Sequence, residues 1–141
     1  MALMWYNLFM QDVLTFLRTH LESIYSRDWD TYQSTTSTDL TLYEHFVTPH
    51  RQEGLDFHKF MIENNWATQG APTHISILEP KVQLLAGGQV AVCSYTLMIS
   101  VVRGEVIHHR SVNESRVLEM REGKWWVVHV HKSPAGGHDA S

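Results

Sequence analysis

Three side chains in this sequence have the types to do chemistry together: His58, Glu114 and Arg116. A Glu/His/Arg set in a water-poor recess can move protons on a small substrate. It can also hold an anion through charge-assisted hydrogen bonds. A plainer reading, and on the residues alone the stronger one, is a buried Glu–Arg pair that fixes the register of a sheet. Glu114 and Arg116 stand two apart in Val112–Ser133, a stretch that reads as a β-hairpin. Aromatic and β-branched residues there flank a turn at Arg121-Glu122-Gly123-Lys124. Strand side chains alternate between faces, so Glu114 and Arg116 share one face. On the return strand the same alternation places Trp126, Val128, Val130 and Lys132 on one face and Trp125, Val127, His129 and His131 on the other. Charges in the middle of such a hairpin either face water or pair in a polar recess, because burying them alone is costly.

The remaining chemistry-bearing residues narrow the field. The chain contains no GxSxG elbow, Walker loop, HExxH or CxxC motif. Its ten histidines include His129 and His131 on one strand face and the adjacent His108-His109. A metal site needs a third ligand that this spacing does not supply. They are read as hydrogen-bonded sheet histidines, with no metal and no other cofactor expected. The single cysteine, Cys93, lies in an apolar strand-like context and is expected to be a buried free thiol. A net charge of −4 without a basic stripe gives no footprint for nucleic acid. The opening MALMWYNLFM lacks the basic start and small-residue cleavage site of a signal peptide, and Gln11-Asp12 end it too soon for a membrane span. A cytoplasmic protein is expected.

The elements that must position these groups follow from periodicity. At 141 residues one domain with its own core is expected. Val13, Leu14, Phe16, Leu17, Leu21, Ile24 and Tyr25 form one stripe of an amphipathic helix over Gln11–Arg27, which Met4–Met10 can extend upstream by two turns. Residues 1–10 are an apolar arm of the kind that docks on its own domain or on a neighbouring subunit. Asp28 or Asp30 can cap a short helix carrying Trp29 and Tyr32. Ser34–Asp39 reads as a loop, Asp39–Tyr43 as a strand, Glu44–Glu53 as irregular and Leu55–Asn65 as a short helix. Three strand segments follow: Thr73–Leu85, bent at Pro80, then Gln89–Val102, then Glu105–Met120. Residues 134–141 read as a disordered tail. Helices first and an antiparallel meander afterwards indicate an α+β fold with helices on one face of a curved sheet.

Three stretches carry a resemblance: EGLDFHKFMIENNW (Glu53–Trp66), PTHISILEPKVQLL (Pro72–Leu85) and NESRVLEMREGKWWVVHVHKS (Asn113–Ser133). Together they resemble the association, or hub, domain of calcium/calmodulin-dependent protein kinase II. The likeness runs from about Gln11 to Ser133. It implies the cone-shaped α+β fold shared with nuclear transport factor 2 and SnoaL-like cyclases. It also implies a self-assembling scaffold without catalysis, in which dimers close into stacked rings, here of twelve or more subunits. The arm in place of a kinase favours a free-standing hub-like protein. Kinase subunits with a matching hub are an implied partner, and a small carboxylate is an implied ligand of the family's pocket. By resemblance that pocket maps to His58, Arg116, Lys132, Tyr95 and Trp66, beside Glu114. Leu97 and Lys132 stand where the family has arginines, which removes two forked donors. The alternative reading is a SnoaL-like enzyme or carrier using Glu114, His58 and Arg116.

Overall fold

A computed structural model describes residues 2–44, 48–64 and 70–136. Three helices come first or between early strands: α1 (Ala2–Tyr25), α2 (Trp29–Thr35) and α3 (Asp56–Glu63). Six strands follow in the order β1 (Thr36–Glu44), β2 (Thr48–Glu53), β3 (Thr73–Leu85), β4 (Val90–Arg103), β5 (Val106–Arg121) and β6 (Lys124–Pro134). They form one sheet in the order β2-β1-β6-β5-β4-β3. Four of its five pairings are antiparallel, and β1 runs parallel to β6.

The expected stripe of α1 is the face that packs on the sheet. Val13, Leu17 and Leu21 are wholly buried, with Leu14, Phe16, Ile24 and Tyr25 half-buried beside them. They meet Leu40 and Leu42 of β1, Ala91, Cys93, Leu97 and Ile99 of β4, and Val112 and Leu118 of β5. Each fully covered leucine contributes about 1.5–3 kcal/mol, so this single layer is where the fold draws its stability. Upstream, α1 continues as one helix, and Met4, Trp5, Tyr6, Leu8 and Phe9 stand exposed on it. Asp28 is the N-cap of α2, its Oδ1 accepting from the Thr31 N–H at 3.1 Å.

Several local expectations are corrected. Ser34–Asp39 is not a loop: α2 runs to Thr35 and β1 starts at once, with Thr35, Thr36 and Ser37 buried and hydrogen-bonded. Within Glu44–Glu53, read as irregular, Thr48–Glu53 is strand β2, while His45–Val47 lie outside the described residues. Pro134 belongs to β6 rather than to the tail, of which 137–141 lie outside the described residues. The hairpin turn falls at Glu122-Gly123, both at positive φ (52° and 76°), as a two-residue type I′ turn requires.

The face assignment of β6 also changes, and it matters most. Val117 pairs with His129 but Leu118 pairs with Val127, so Val128 is an extra residue, a bulge. The bulge reverses the alternation. Trp125 and Val127 point into the core before it, and Val130 and Lys132 after it. Lys132 therefore ends on the same face as Glu114 and Arg116. A second irregularity in β3, at Glu79-Pro80 opposite Tyr95, confirms the bend expected at the proline. Among the described residues no helix is long and apolar enough to cross a membrane.

Candidate functional site

On β5 the inward side chains are Val112, Glu114, Arg116 and Leu118, two charges between two hydrophobes. Across the ladder Tyr95 faces Glu114, and Cys93 faces Arg116. Arg116 is wholly buried, and Glu114 and Tyr95 nearly so. The Arg116 Nη1 donates to the Tyr95 hydroxyl at 2.7 Å and to the Glu114 carboxylate, and the Tyr95 O–H donates to Glu114 Oε1 at 2.7 Å. Burial works against the guanidinium charge, but Glu114 and then Tyr95 outweigh it and hold Arg116 firmly protonated. Burial pushes the Tyr95 phenol well above its ordinary value, so it stays neutral and can act as a donor. This is the plainer Glu–Arg reading, with a tyrosine closing the triangle.

His58 does not hydrogen-bond to that pair. It stands on α3 in a second network, made with residues from α2, β1 and β6. Lys132 Nζ donates to Glu44 Oε1 at 2.8 Å, and His58 Nε2 lies 3.3 Å from Glu44 Oε2. The Tyr32 hydroxyl meets His58 Nδ1. A carboxylate only accepts, so His58 Nε2 carries the hydrogen and Nδ1 accepts from Tyr32. Burial lowers the His58 pKa, with Glu44 pulling the other way, so the ring is neutral at neutral pH. Burial would raise Glu44, yet Lys132 and the His58 hydrogen bond outweigh it and hold the carboxyl well below the usual range. Burial would lower Lys132, but Glu44 and Glu114 together raise it. Among the described residues the two buried acidic side chains, Glu44 and Glu114, are thus matched in number by Lys132 and Arg116.

His20, on α1, completes the polar interior. Its ring stacks on Tyr32, and its Nδ1 lies 2.8 Å from Thr35 Oγ1. Burial lowers its pKa first, then the nearby Arg116, His58 and Lys132. Between the networks and the helices, Ile24, Glu44, His58, Met61, Ile62 and Lys132 enclose a cavity of about 20 Å³. That volume suits one water molecule and no larger guest. A wider, open hollow of about 610 Å³ lies among Ser94, Thr96, Asn113, Ser115 and Ser133, with Glu79, Lys81 and His131 also on its lining.

The structure therefore unites Tyr95, Glu114 and Arg116, places His58 and Lys132 on a shared partner, and leaves Trp66 outside the described residues. Leu97 is wholly buried in the core. The partner itself, Glu44, was not expected, and neither were Tyr32 and His20. Glu44 had a signal: it follows Leu40 and Leu42 at intervals of two and so falls on the apolar face of its strand. Cys93 is the buried free thiol expected, pushed up to about 12 by burial. His129 and His109 hydrogen-bond to Thr41 and Ser100, each at 2.8 Å, as sheet histidines do.

Comparison with known proteins bears on the whole chain. Residues 10–136 match the family model for the calcium/calmodulin dependent protein kinase II association domain. The calcium/calmodulin-dependent protein kinase type II of Caenorhabditis briggsae is 32% identical over 87% of this chain, which spans about a fifth (22%) of that protein. The association domain of the C. elegans kinase superposes with a TM-score of 0.79 at 30% identity, covering 88% of this chain and 94% of that one. The S. rosetta kinase hub gives 0.75 at 25%, covering 89% and 95%. A nuclear transport factor 2-like protein from Salmonella enterica, 17% identical with a TM-score of 0.71 over 96% of this chain and 99% of that one, shares the fold alone. With this fold and a match over nearly its full length, the chain belongs to the calcium/calmodulin-dependent protein kinase II association domain family, a family of oligomerisation domains.

Proposed function

We propose that this chain is a ring-forming scaffold, in which dimers close laterally into stacked rings of twelve or more copies. The observation that carries this reading is the family match over residues 10–136. A closed ring needs two different patches for its lateral contact and one self-complementary patch for its dimers. Kinase chains with a matching association domain are the partners proposed to co-assemble with it. The native mass of the purified chain tests the scaffold. At 16.3 kDa per copy, the expected particle weighs twelve copies or more by native mass spectrometry. A stable dimer at micromolar concentration would remove the ring.

The interior supports assembly over small-molecule chemistry. Lys132 and His58, two groups that could receive a carboxylate, both hold the chain's own Glu44. The recess beside them has room for one water. Wild-type protein is accordingly expected to show no heat of binding with acetate. Glu44→Ala removes the carboxylate that Lys132 and His58 share in the interior and should cost about 3–5 kcal/mol. Acetate at tens of millimolar should recover part of that loss, read as a rise in melting temperature absent from a chloride control. A wild-type acetate isotherm, or no rescue of the variant, would show that Glu44 does not occupy a carboxylate site.

A further inference from the structure

We infer that the N-terminal arm of one copy seats on the β4–β5 hairpin tip of the next. Met4, Trp5, Tyr6, Leu8 and Phe9 are between 41% and 58% exposed, and their helical segment carries no charge. The β4–β5 tip presents a second exposed patch, in which Val102 and Ile107 pair on one face of the ribbon at 40% and 58% exposure, with Val106 (54%) on the opposite face beside Arg103. Arg103, Glu105 and His108 surround it as a polar rim.

The two patches lie at opposite ends of the molecule. The last turn of α1, from Glu22 to Ser26, borders a hollow with Thr73, His74 and Ile75. Those residues pair with Val101, Ser100 and Ile99, just before the tip. The arm is the other end of the same helix, about 20 Å or more along it from Glu22 at 1.5 Å per residue. One copy cannot bring its own arm to its own tip, but two copies stacked head to tail can.

Area favours the pairing. At about half exposure the arm, with three aromatic side chains that bury some 150–250 Å² each, offers on the order of 500 Å², and the Val102–Ile107 pair roughly a third as much. A standard interface buries about 1,600 Å², of which some 57%, or about 900 Å², is apolar. Arm and tip supply the larger part of that between them and form one part of a wider contact between copies. An arm-to-arm contact would be isologous, would stop at two copies and would leave the tip bare. A lipid surface fits less well, since interfacial helices carry lysine and arginine on their polar face. The first cation after Phe9 is Arg18. The inference rests on the self-association reading and specifies one contact within it.

The test uses two full-length variants, Leu8→Cys and Ile107→Cys, under mild oxidation. Cys93 is buried and stays silent. A disulfide-linked dimer is expected in the mixture and in neither variant alone. Crosslinking of Leu8→Cys with itself would replace this contact by an arm-to-arm pair. No crosslink, with the tryptophan emission of the protein shifting to the blue on phosphatidylserine vesicles, would give the arm to a membrane. No crosslink and no shift would leave the arm without this contact. Native mass separates the levels: a multi-subunit particle without the crosslink overturns only the inference, whereas a monomer overturns the scaffold as well.

Discussion

Replacing Arg116 with alanine should lower the free energy of unfolding by about 3–5 kcal/mol, read as a drop in the urea midpoint. The loss comes less from the missing attraction than from what remains. Glu114 is buried, and without Arg116 the Tyr95 hydroxyl is its remaining hydrogen-bond partner among the described residues. Its options are to stay charged in a low-dielectric interior or to take up a proton, and both cost free energy. The double variant Arg116→Met with Glu114→Leu separates these contributions. Removing both charges together should bring the midpoint back to within about 1–2 kcal/mol of wild type, or above it. An unchanged midpoint in Arg116→Ala would mean that water reaches the pair in solution.

Lowering the pH from 7.5 to 5 should destabilise the fold through His20 and His58. Both have pKa values pushed below the ordinary 6.5, first by burial. The unfolded chain therefore binds more protons than the native one below about 6.5, and stability rises with pH there. Their contribution is fully present above the unfolded value and is lost as the pH falls towards the folded one. Each histidine adds a slope of up to about 1.4 kcal/mol per pH unit, so the two together reach about 2.7. Their surroundings keep the sign: Arg116 and Lys132 oppose protonation of both rings, while Glu44 offsets this at His58 alone. Protonating His58 would also cancel its acceptance from Tyr32. Glu44, likewise held low, adds to the slope only below about pH 4.5. Urea midpoints at pH 7.5, 6 and 5 measure the effect, and His58→Gln should remove about half of the slope. A flat profile across that range would mean that the rings open to solvent.

Much of this architecture was legible in residue spacing. The α1 stripe, the short α3, the bend at Pro80 and the buried Glu114–Arg116 pair follow from alternation and helical period. Two kinds of feature escaped. Ser34–Asp39 has the composition of a loop, but its hydroxyls bond to backbone and to neighbouring side chains, so the chain passes from helix to strand without one. Lys132 was placed with Trp126 and Val128 because alternation assumes an unbroken ladder. The extra residue at Val128 is a property of pairing with β5, and no periodicity within β6 records it. Glu44 escaped for a related reason, since its place beside Lys132 depends on the parallel register of β1 against a strand far along the chain. The site is assembled by long-range register, and local pattern could name its members only where a strand was read correctly.

The two outer strands of the sheet have a consequence for how copies can meet. On one border β2 is six residues long and begins Thr48-Pro49, whose proline has no N–H to offer. On the other, β3 is long but broken midway by Glu79-Pro80-Lys81, where a positive φ at Glu79 turns the backbone aside and a charge flanks the proline on each side. Short length, proline and charge are the means by which natural sheets refuse a further strand. Copies of this chain therefore present side chains to one another rather than open backbone ladders. Growth is then governed by the angle between fitted surfaces, which can close on itself. A continuing sheet has no such stopping point, and a protein kept at the concentrations that assembly requires would otherwise be drawn towards fibres.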